Sequence, residues 1–111
     1  MDNDEVIGGL RVDVNREIRR AVDTGTVLFG VKEAEKSVLK ATAKLIVISS
    51  NTPAQLKERL QQLCGVSQIP ILEFEGNGLA LGNICGKPFV VSVLGVEKEG
   101  KSKILDAVKK K

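Results

Sequence analysis

Histidine, tryptophan and tyrosine are absent from this chain of 111 residues. Without histidine, the side chain most often used for acid–base catalysis is missing. The aspartates lie only in the two terminal quarters, away from the predicted strand ends, at Asp2, Asp4, Asp13, Asp23 and Asp106. No pair of carboxylates suited to acid–base work is evident elsewhere. The composition therefore predicts that the chain is not an enzyme and needs no cofactor.

Cysteine and long apolar runs are also scarce. Cys64 and Cys85 are the only cysteines, and a structural zinc site would need four ligands. The chain begins Met1-Asp2-Asn3-Asp4-Glu5, which is acidic where a secretory signal would be basic. No apolar run approaches the roughly 20 residues that span a membrane. We expect a cytoplasmic protein with two reduced, buried thiols, no metal and no membrane association.

The residues that are present indicate one folded domain. Apolar residues make up 42% of the chain and charged residues 28%, as is ordinary for a globular protein with a real core. A net charge of +3 is only a mild hint of a polyanionic partner. We predict a flexible leader over residues 1–11, a single α/β domain over 12–108 and a basic tail over 109–111.

The most informative stretch is Lys44 to Pro53, with the sequence KLIVISSNTP. Its continuous apolar run is typical of a strand buried on both faces. Thr52, Pro53 and Gln55 match a capping box with proline at the first helical position. A buried strand that leads directly into a capped helix would present Asn51 at one edge of the sheet, where open α/β sheets bind ligands.

Hydrophobic spacing and glycine positions predict the other elements. Asp13 would cap a helix that ends near Gly25, and a strand would follow over 26–29. A second helix would bury Val31, Ala34, Val38 and Ala41, and a third would end at Gly65. Further strands are predicted over 69–74 and 89–93, and further helices over 79–84 and 102–110. This alternation predicts an α/β sandwich with a largely parallel sheet, whose first three strands are followed by loops at one end.

Three groups of residues at that end are candidates for ligand binding. Gly30 would allow a tight turn, and Lys32 and Lys36 would lie one helical turn apart, able to reach phosphates or a guanine edge. Taken alone, this pattern more often marks a solvated helix face with Glu and Lys mixed. Asn51 could bind a base edge or serve only as a turn residue. Phe89 could stack on an unpaired base or begin the fourth strand as a core residue.

Gly95 to Ser102 formally matches a phosphate-binding loop, GVEKEGKS. Only nine residues follow Ser102, too few to build a parallel sheet behind such a loop. Glu97 and Glu99 would also bring negative charge towards bound phosphates. A charged surface turn is the preferred interpretation, and a small nucleotide-binding enzyme is the alternative from another functional class.

Four motifs occur in order: Phe29-Gly30-x-Lys32, the Lys44–Pro53 stretch, Glu73-Phe74-Glu75-Gly76, and Leu81-Gly82-x-x-x-Gly86-Lys87-Pro88-Phe89. Together they resemble the "thirty-e" family of archaeal and eukaryotic large-subunit ribosomal proteins. That family belongs to the kink-turn RNA-binding superfamily that also includes ribosomal protein "seven-Ae". The resemblance extends from about Val14 to Ile104.

This resemblance implies a three-layer α/β/α sandwich around a four-stranded mixed sheet, without catalytic activity. It implies binding to kinked, purine-rich internal loops of ribosomal RNA, neighbouring ribosomal proteins as partners, and a monomer when free. The residues implied in RNA contact are Gly30, Lys32, Glu33, Lys36, Asn51, Ile84, Lys87 and Phe89. A seven-Ae-type protein of an RNA-modification or RNase P particle is the closest alternative. Glu33 favours that alternative, whereas Lys32 and Asn51-Thr52-Pro53 favour the thirty-e family.

Overall fold

The structure is a computed structural model that describes residues 4–7 and 10–107. Its elements in chain order are β1 (Asp4–Ile7), β2 (Leu10–Asp13), α1 (Val14–Thr24), β3 (Thr26–Phe29), α2 (Val31–Leu39), β4 (Leu45–Ser49), α3 (Ala54–Ser67), β5 (Ile71–Phe74), α4 (Gly78–Ile84), β6 (Val93–Lys98) and a closing 3₁₀ helix (Ile104–Ala107). The predicted tail over 109–111 lies outside the described residues. The division of the chain into leader, domain and tail stays a prediction.

Four strands form one mixed sheet in the order β3-β6-β4-β5. Strands β4 and β5 are parallel, whereas β6 runs antiparallel to both of its neighbours, β3 and β4. The mixed sheet implied by the resemblance is confirmed, and the largely parallel sheet expected from alternation alone is wrong. Because β6 is reversed, it begins at the same end of the sheet at which β3, β4 and β5 finish. We call this the junction end.

Helices cover both faces of the sheet, and β4 shows why. Leu45 and Val47 belong to the apolar cluster beneath α1 and α4, whereas Ile46 and Ile48 belong to the cluster beneath α2 and α3. All four side chains are at most 1% exposed. A continuous apolar run is stable here because successive side chains point to opposite faces and both faces are covered. The α/β/α sandwich is confirmed.

The fourth strand of this sheet begins later than the sequence predicted. The prediction was 89–93, but β6 covers Val93–Lys98. The preceding segment is attached to α4 instead, where the Val91 N–H donates to the Gly78 carbonyl at 3.0 Å. Phe89 therefore lies in a loop at the junction end and not in the sheet.

Two predicted helix ends were also wrong. Helix α3 continues past Gly65 to Ser67, and Gln68 closes it with a left-handed φ of 59°. Helix α2 ends at Leu39, so Ala41, which was expected on the buried stripe, is exposed with a φ of 60°. Ala41 and Thr42 donate their N–H groups back to helical carbonyls, which is how a chain commonly leaves a helix.

The terminal segments also differ from expectation. No regular element was expected in the leader, yet β1 pairs antiparallel with β2; in the sequence, two glycines separate these runs, a hairpin pattern. Residues 1–3, 8 and 9 lie outside the described residues. The last predicted helix is a 3₁₀ helix as far as residue 107. The buried carboxylate of Glu17 accepts the Lys103 N–H at 2.7 Å, which ties this segment to α1.

Candidate nucleic-acid interface

Gly30 joins β3 to α2 at the junction end. Its N–H donates to the Val93 carbonyl at 2.8 Å, and its φ of 107° and ψ of 157° lie in a region that is essentially restricted to glycine. Its carbonyl accepts the Ala34 N–H at 3.0 Å, which begins the helix. A Cβ built on Gly30 would meet nothing within 4 Å, so the space in front of this turn is open to a ligand.

The first turn of α2 places Lys32 and Glu33 in solvent next to Gly30, and Lys36, in the last turn of the helix, is also exposed. Within the described part of the chain, none of these three side chains forms an ion pair. The next acidic residue, Glu35, differs because its Oε2 lies 2.7 Å from the Nε of Arg59 on α3. The lysine charges therefore remain available to a polyanion, and Glu33 remains available as an acceptor.

Asn51 lies on the loop between β4 and α3, and its amide is oriented by the protein. Its Oδ1 accepts hydrogen bonds from the Ser49 hydroxyl at 3.0 Å and from the Gly78 N–H at 3.2 Å. A backbone N–H can only donate, so the oxygen must be the atom that faces Gly78. The exposed part of the side chain is therefore the NH₂ group, which offers two donors to a ligand.

The capping box predicted for this loop does not form. Pro53 occupies the N-cap of α3 without any side-chain hydrogen bond. The Thr52 side chain is buried and its hydroxyl donates to the Ser92 carbonyl at 3.2 Å, while the hydroxyls of Thr52 and Ser49 lie 2.9 Å apart. Thr52 thus fastens the Asn51 loop to the chain that enters β6, a long-range contact that replaces the local cap.

Phe89 provides an exposed aromatic surface at the same end of the sheet. Its side chain is 50% exposed, and its ring meets Phe29 edge to face, with 6.4 Å between centroids and 84° between planes. The Nζ of Lys87 lies 5.1 Å from the centroid of the Phe29 ring, a cation–π distance. Phe29 is half-buried and supports both side chains.

Two further apolar side chains belong to α4 and the loop that follows it. Ile84, at the end of α4, is half-buried and packs against the main core cluster. Val90 is 60% exposed. Sequence reasoning missed it because the strand predicted over 89–93 would have placed its side chain against a face of the sheet. Its position directly after Phe89 is the only sequence signal that could have identified it.

Close packing holds this loop against α4. A Cβ built on Gly82 would lie 2.1 Å from the Phe89 carbonyl oxygen, nearer than any real contact. Asn77 caps the other end of the helix, where its Oδ1 accepts the Ala80 N–H at 2.9 Å. Helix α4, whose start is fixed by the Asn77 cap, therefore determines the position of Phe89.

A model described as "Ribosomal protein L7Ae/L30e/S12e/Gadd45 family" matches residues 12–106 of this chain. The chain belongs to this family. Large ribosomal subunit protein eL30 of Methanothermobacter thermautotrophicus is 42% identical over 97 residues, covering 87% of this chain and 99% of the relative. The eL30 protein of Methanocaldococcus jannaschii is 43% identical over 100 residues, covering 90% and 91%. That of Saccharolobus solfataricus is 36% identical over 101 residues, covering 91% and 94%.

A solved structure of a protein of unknown function from Bacillus halodurans C has a similar fold. Its TM-score is 0.75 at 27% sequence identity, and the match covers 87% of this chain and 96% of that one. The structural match therefore covers nearly the whole domain, as the family model does.

The segment that resembles a phosphate-binding loop has a different role in this family member. Gly95 to Lys98 are part of β6, where Gly95 is buried and pairs with Leu28 on one side and Ile46 on the other. Extended residues paired on both sides cannot curl around a phosphate. The charged turn expected there is confined to the residues that follow Lys98.

The two cysteines are free and buried. Burial raises the pKa of the Cys85 thiol to about 11, while the nearby charges of Lys87 and Arg19 act in the opposite direction. Burial likewise raises the pKa of Cys64. Both thiols are therefore protonated at neutral pH and are poor nucleophiles. Among the described residues, no cluster of side chains suited to holding a metal ion occurs. Nor, in that part of the chain, is any helix long and apolar enough to cross a membrane.

Proposed function

We propose that this protein is a constituent of the large ribosomal subunit, in the cytoplasm, and binds ribosomal RNA at a kinked, purine-rich internal loop. The observation that carries the proposal is the half-exposed Phe89 ring, which is supported by Phe29 and lies at the same end of the sheet as the oriented amide of Asn51. The names of the relatives and the family membership support the ribosomal assignment. Neighbouring ribosomal proteins would be its other partners, and the free protein would be a monomer.

Each side chain at the junction end has a role in this proposal. Phe89 stacks on a nucleotide extruded from the RNA, and Ile84 covers it, because aromatic rings stack on unpaired bases. The NH₂ group of Asn51 and the ammonium of Lys32 donate to acceptors on base edges, such as guanine O6 and N7. Lys36 and Lys87 contact phosphates.

Gly30 and Glu33 complete the surface. The open space at Gly30 allows the RNA backbone to approach the turn closely. Glu33 accepts from a base amino or imino group, the complement of the donors supplied by Lys32 and Asn51. These roles involve binding only, so we infer that the protein catalyses no reaction.

The test is a comparison of two RNAs, one with a kinked internal loop and one a duplex of the same length, each titrated with the purified protein. We expect clear preference for the kinked RNA. Phe89→Ala should weaken that binding by about 1–3 kcal/mol, as loss of one stacked base does. Lys32→Ala should weaken it by a similar amount.

Lys101→Ala is the matched control, because Lys101 is an exposed lysine beyond the end of β6, at the opposite end of the sheet. It should leave the preference for kinked RNA unchanged. Equal affinity of the wild-type protein for both RNAs would refute the proposal. Unchanged affinity in both the Phe89 and Lys32 variants would refute the assignment of the surface.

A further inference from the structure

The loop between α4 and β6 also contacts Arg19, a basic residue on α1 that is not part of the interface proposed above. The Nη1 atom of Arg19 lies 2.8 Å from the position that a Cβ on Gly86 would occupy. Gly86 directly precedes Lys87 and lies three residues before Phe89. The guanidinium of Arg19 therefore lies over the loop that presents the proposed stacking residue.

The contacts of Arg19 orient it and leave most of its donors unused. Its Nε donates to both carboxylate oxygens of Asp23, at 3.1 and 3.0 Å. Guanidinium carries five N–H donors, and within the described part of the chain the four on the terminal nitrogens donate to no protein acceptor. The Arg19 side chain is 52% exposed, so these donors are open to solvent.

Lys87 adds a second cation to the same loop. Among the described residues it has no carboxylate partner and instead lies over the Phe29 ring. Arg19 and Lys87 thus bring two positive charges to the loop that presents Phe89, opposed by the single carboxylate of Asp23. Bidentate donation to phosphate oxygens is a common use of such a guanidinium.

We propose that Arg19 binds a phosphate of the RNA strand whose nucleotide stacks on Phe89, extending the RNA contact from the junction end onto α1. This inference rests on the proposed RNA binding and deepens it. Arg20, the next residue, is the matched control because it points about 100° away around the helix. Arg20 is also exposed.

The experiment measures affinity for the kinked RNA across a salt series for the wild-type protein and for R19A, R19K and R20A. We expect R19A to reduce the slope of log affinity against log salt by about 0.7–0.9, the effect of one lost phosphate contact. That slope corresponds to a loss of about five- to eightfold at about 0.1 M salt. R19K and R20A should keep slopes close to wild type. Circular dichroism would check that each variant is folded.

Three results would overturn the inference. An unchanged slope with unchanged affinity would show that Arg19 does not touch the RNA. An unchanged slope with weaker affinity would show that Arg19 acts by supporting the loop, as a cation near the C-terminal end of α4 can. Equal loss of slope in R19A and R20A would show a diffuse charge effect. If the wild-type protein fails to prefer kinked RNA over duplex, the proposed function fails instead.

Discussion

Replacing Asn51 by aspartate separates its structural role from its proposed role in RNA recognition. Its Oδ1 accepts hydrogen bonds from the Ser49 hydroxyl and the Gly78 N–H, and a carboxylate oxygen can accept the same two bonds. Gly78 begins α4, and negative charge is favourable at a helix start. We therefore expect Asn51→Asp to leave the free energy of unfolding within about 1 kcal/mol of wild type.

Asn51→Ala should behave differently in the same measurement. It leaves the N–H of Gly78, a buried residue, without its acceptor, which should cost about 1–3 kcal/mol. Urea unfolding followed by far-ultraviolet circular dichroism is the suitable assay, because the chain has no tryptophan or tyrosine to report by fluorescence. The expected order of stability is wild type close to Asn51→Asp, with Asn51→Ala clearly lower.

The order of RNA affinity should not follow the order of stability. Both variants lose the NH₂ donors, and one lost base contact costs about 1–3 kcal/mol, or about fivefold to 150-fold in Kd. Asn51→Asp also brings a negative charge towards the RNA, so it should bind more weakly than Asn51→Ala. Titration of labelled kinked RNA at one fixed salt concentration measures both. Wild-type affinity in the aspartate variant would refute the outward amide as a base contact.

Four further predictions concern stability and pH. Gly30→Ala should lower the free energy of unfolding by about 1–3 kcal/mol, since its backbone angles are essentially restricted to glycine; an unchanged urea midpoint would contradict this. Gly82→Ala should cost about 1–3 kcal/mol and weaken RNA binding, because the new Cβ would lie 2.1 Å from the Phe89 carbonyl oxygen. Gly65→Ala, in open space on α3, should instead stabilise by about 0.4–1 kcal/mol. Because the Cys85 pKa is raised to about 11, the unfolded chain releases this proton first, and stability should fall as pH rises from about 9 to 11. In Cys85→Ala, stability should fall less steeply over this pH range. A pH profile identical to that of the wild type would contradict the assignment of the fall to Cys85.

The local patterns that the sequence predicted correctly are those that depend on a single element. The apolar run in β4 and the buried positions Ala34 and Val38 on α2 could be read from spacing because burial follows the period of each element. Gly30 could be identified as a turn because strand and helix patterns meet there. The gathering of loops at one end followed from the order of these elements.

The errors arose where two parts of the chain compete for the same segment. Thr52 matches a cap, but its hydroxyl donates to the Ser92 carbonyl, forty residues later in the chain. The segment before β6 is apolar enough to be a strand. It packs on α4 instead, where the Gly78 carbonyl accepts the Val91 N–H and Gly82 allows the backbone of the segment to approach closely. Both outcomes depend on which segments meet in space, and spacing within a short window does not contain that information.

The same limit applies to the candidate site. Polar and aromatic residues next to strand ends could be identified in the sequence as candidates, including Lys32, Asn51 and Phe89. The support of Phe89 by Phe29, and the approach of Arg19 to Gly86, join residues about 60 to 70 positions apart. Only the packed fold brings these groups together.

Because of the hydrogen bonds around Asn51, we expect RNA binding to cost less side-chain entropy at Asn51 than at Lys32 and Lys36. Immobilising a side chain at an interface costs about 0.5–1.5 kcal/mol, but Asn51 is already held by Ser49 and Gly78 before any RNA arrives. Lys32 and Lys36 are exposed and make no ion pair in the described part of the chain, so their motion would be lost only on binding. In the proposed RNA complex, the Asn51 amide would therefore be a preorganised contact that selects the RNA, whereas the lysine side chains would adjust to the RNA backbone.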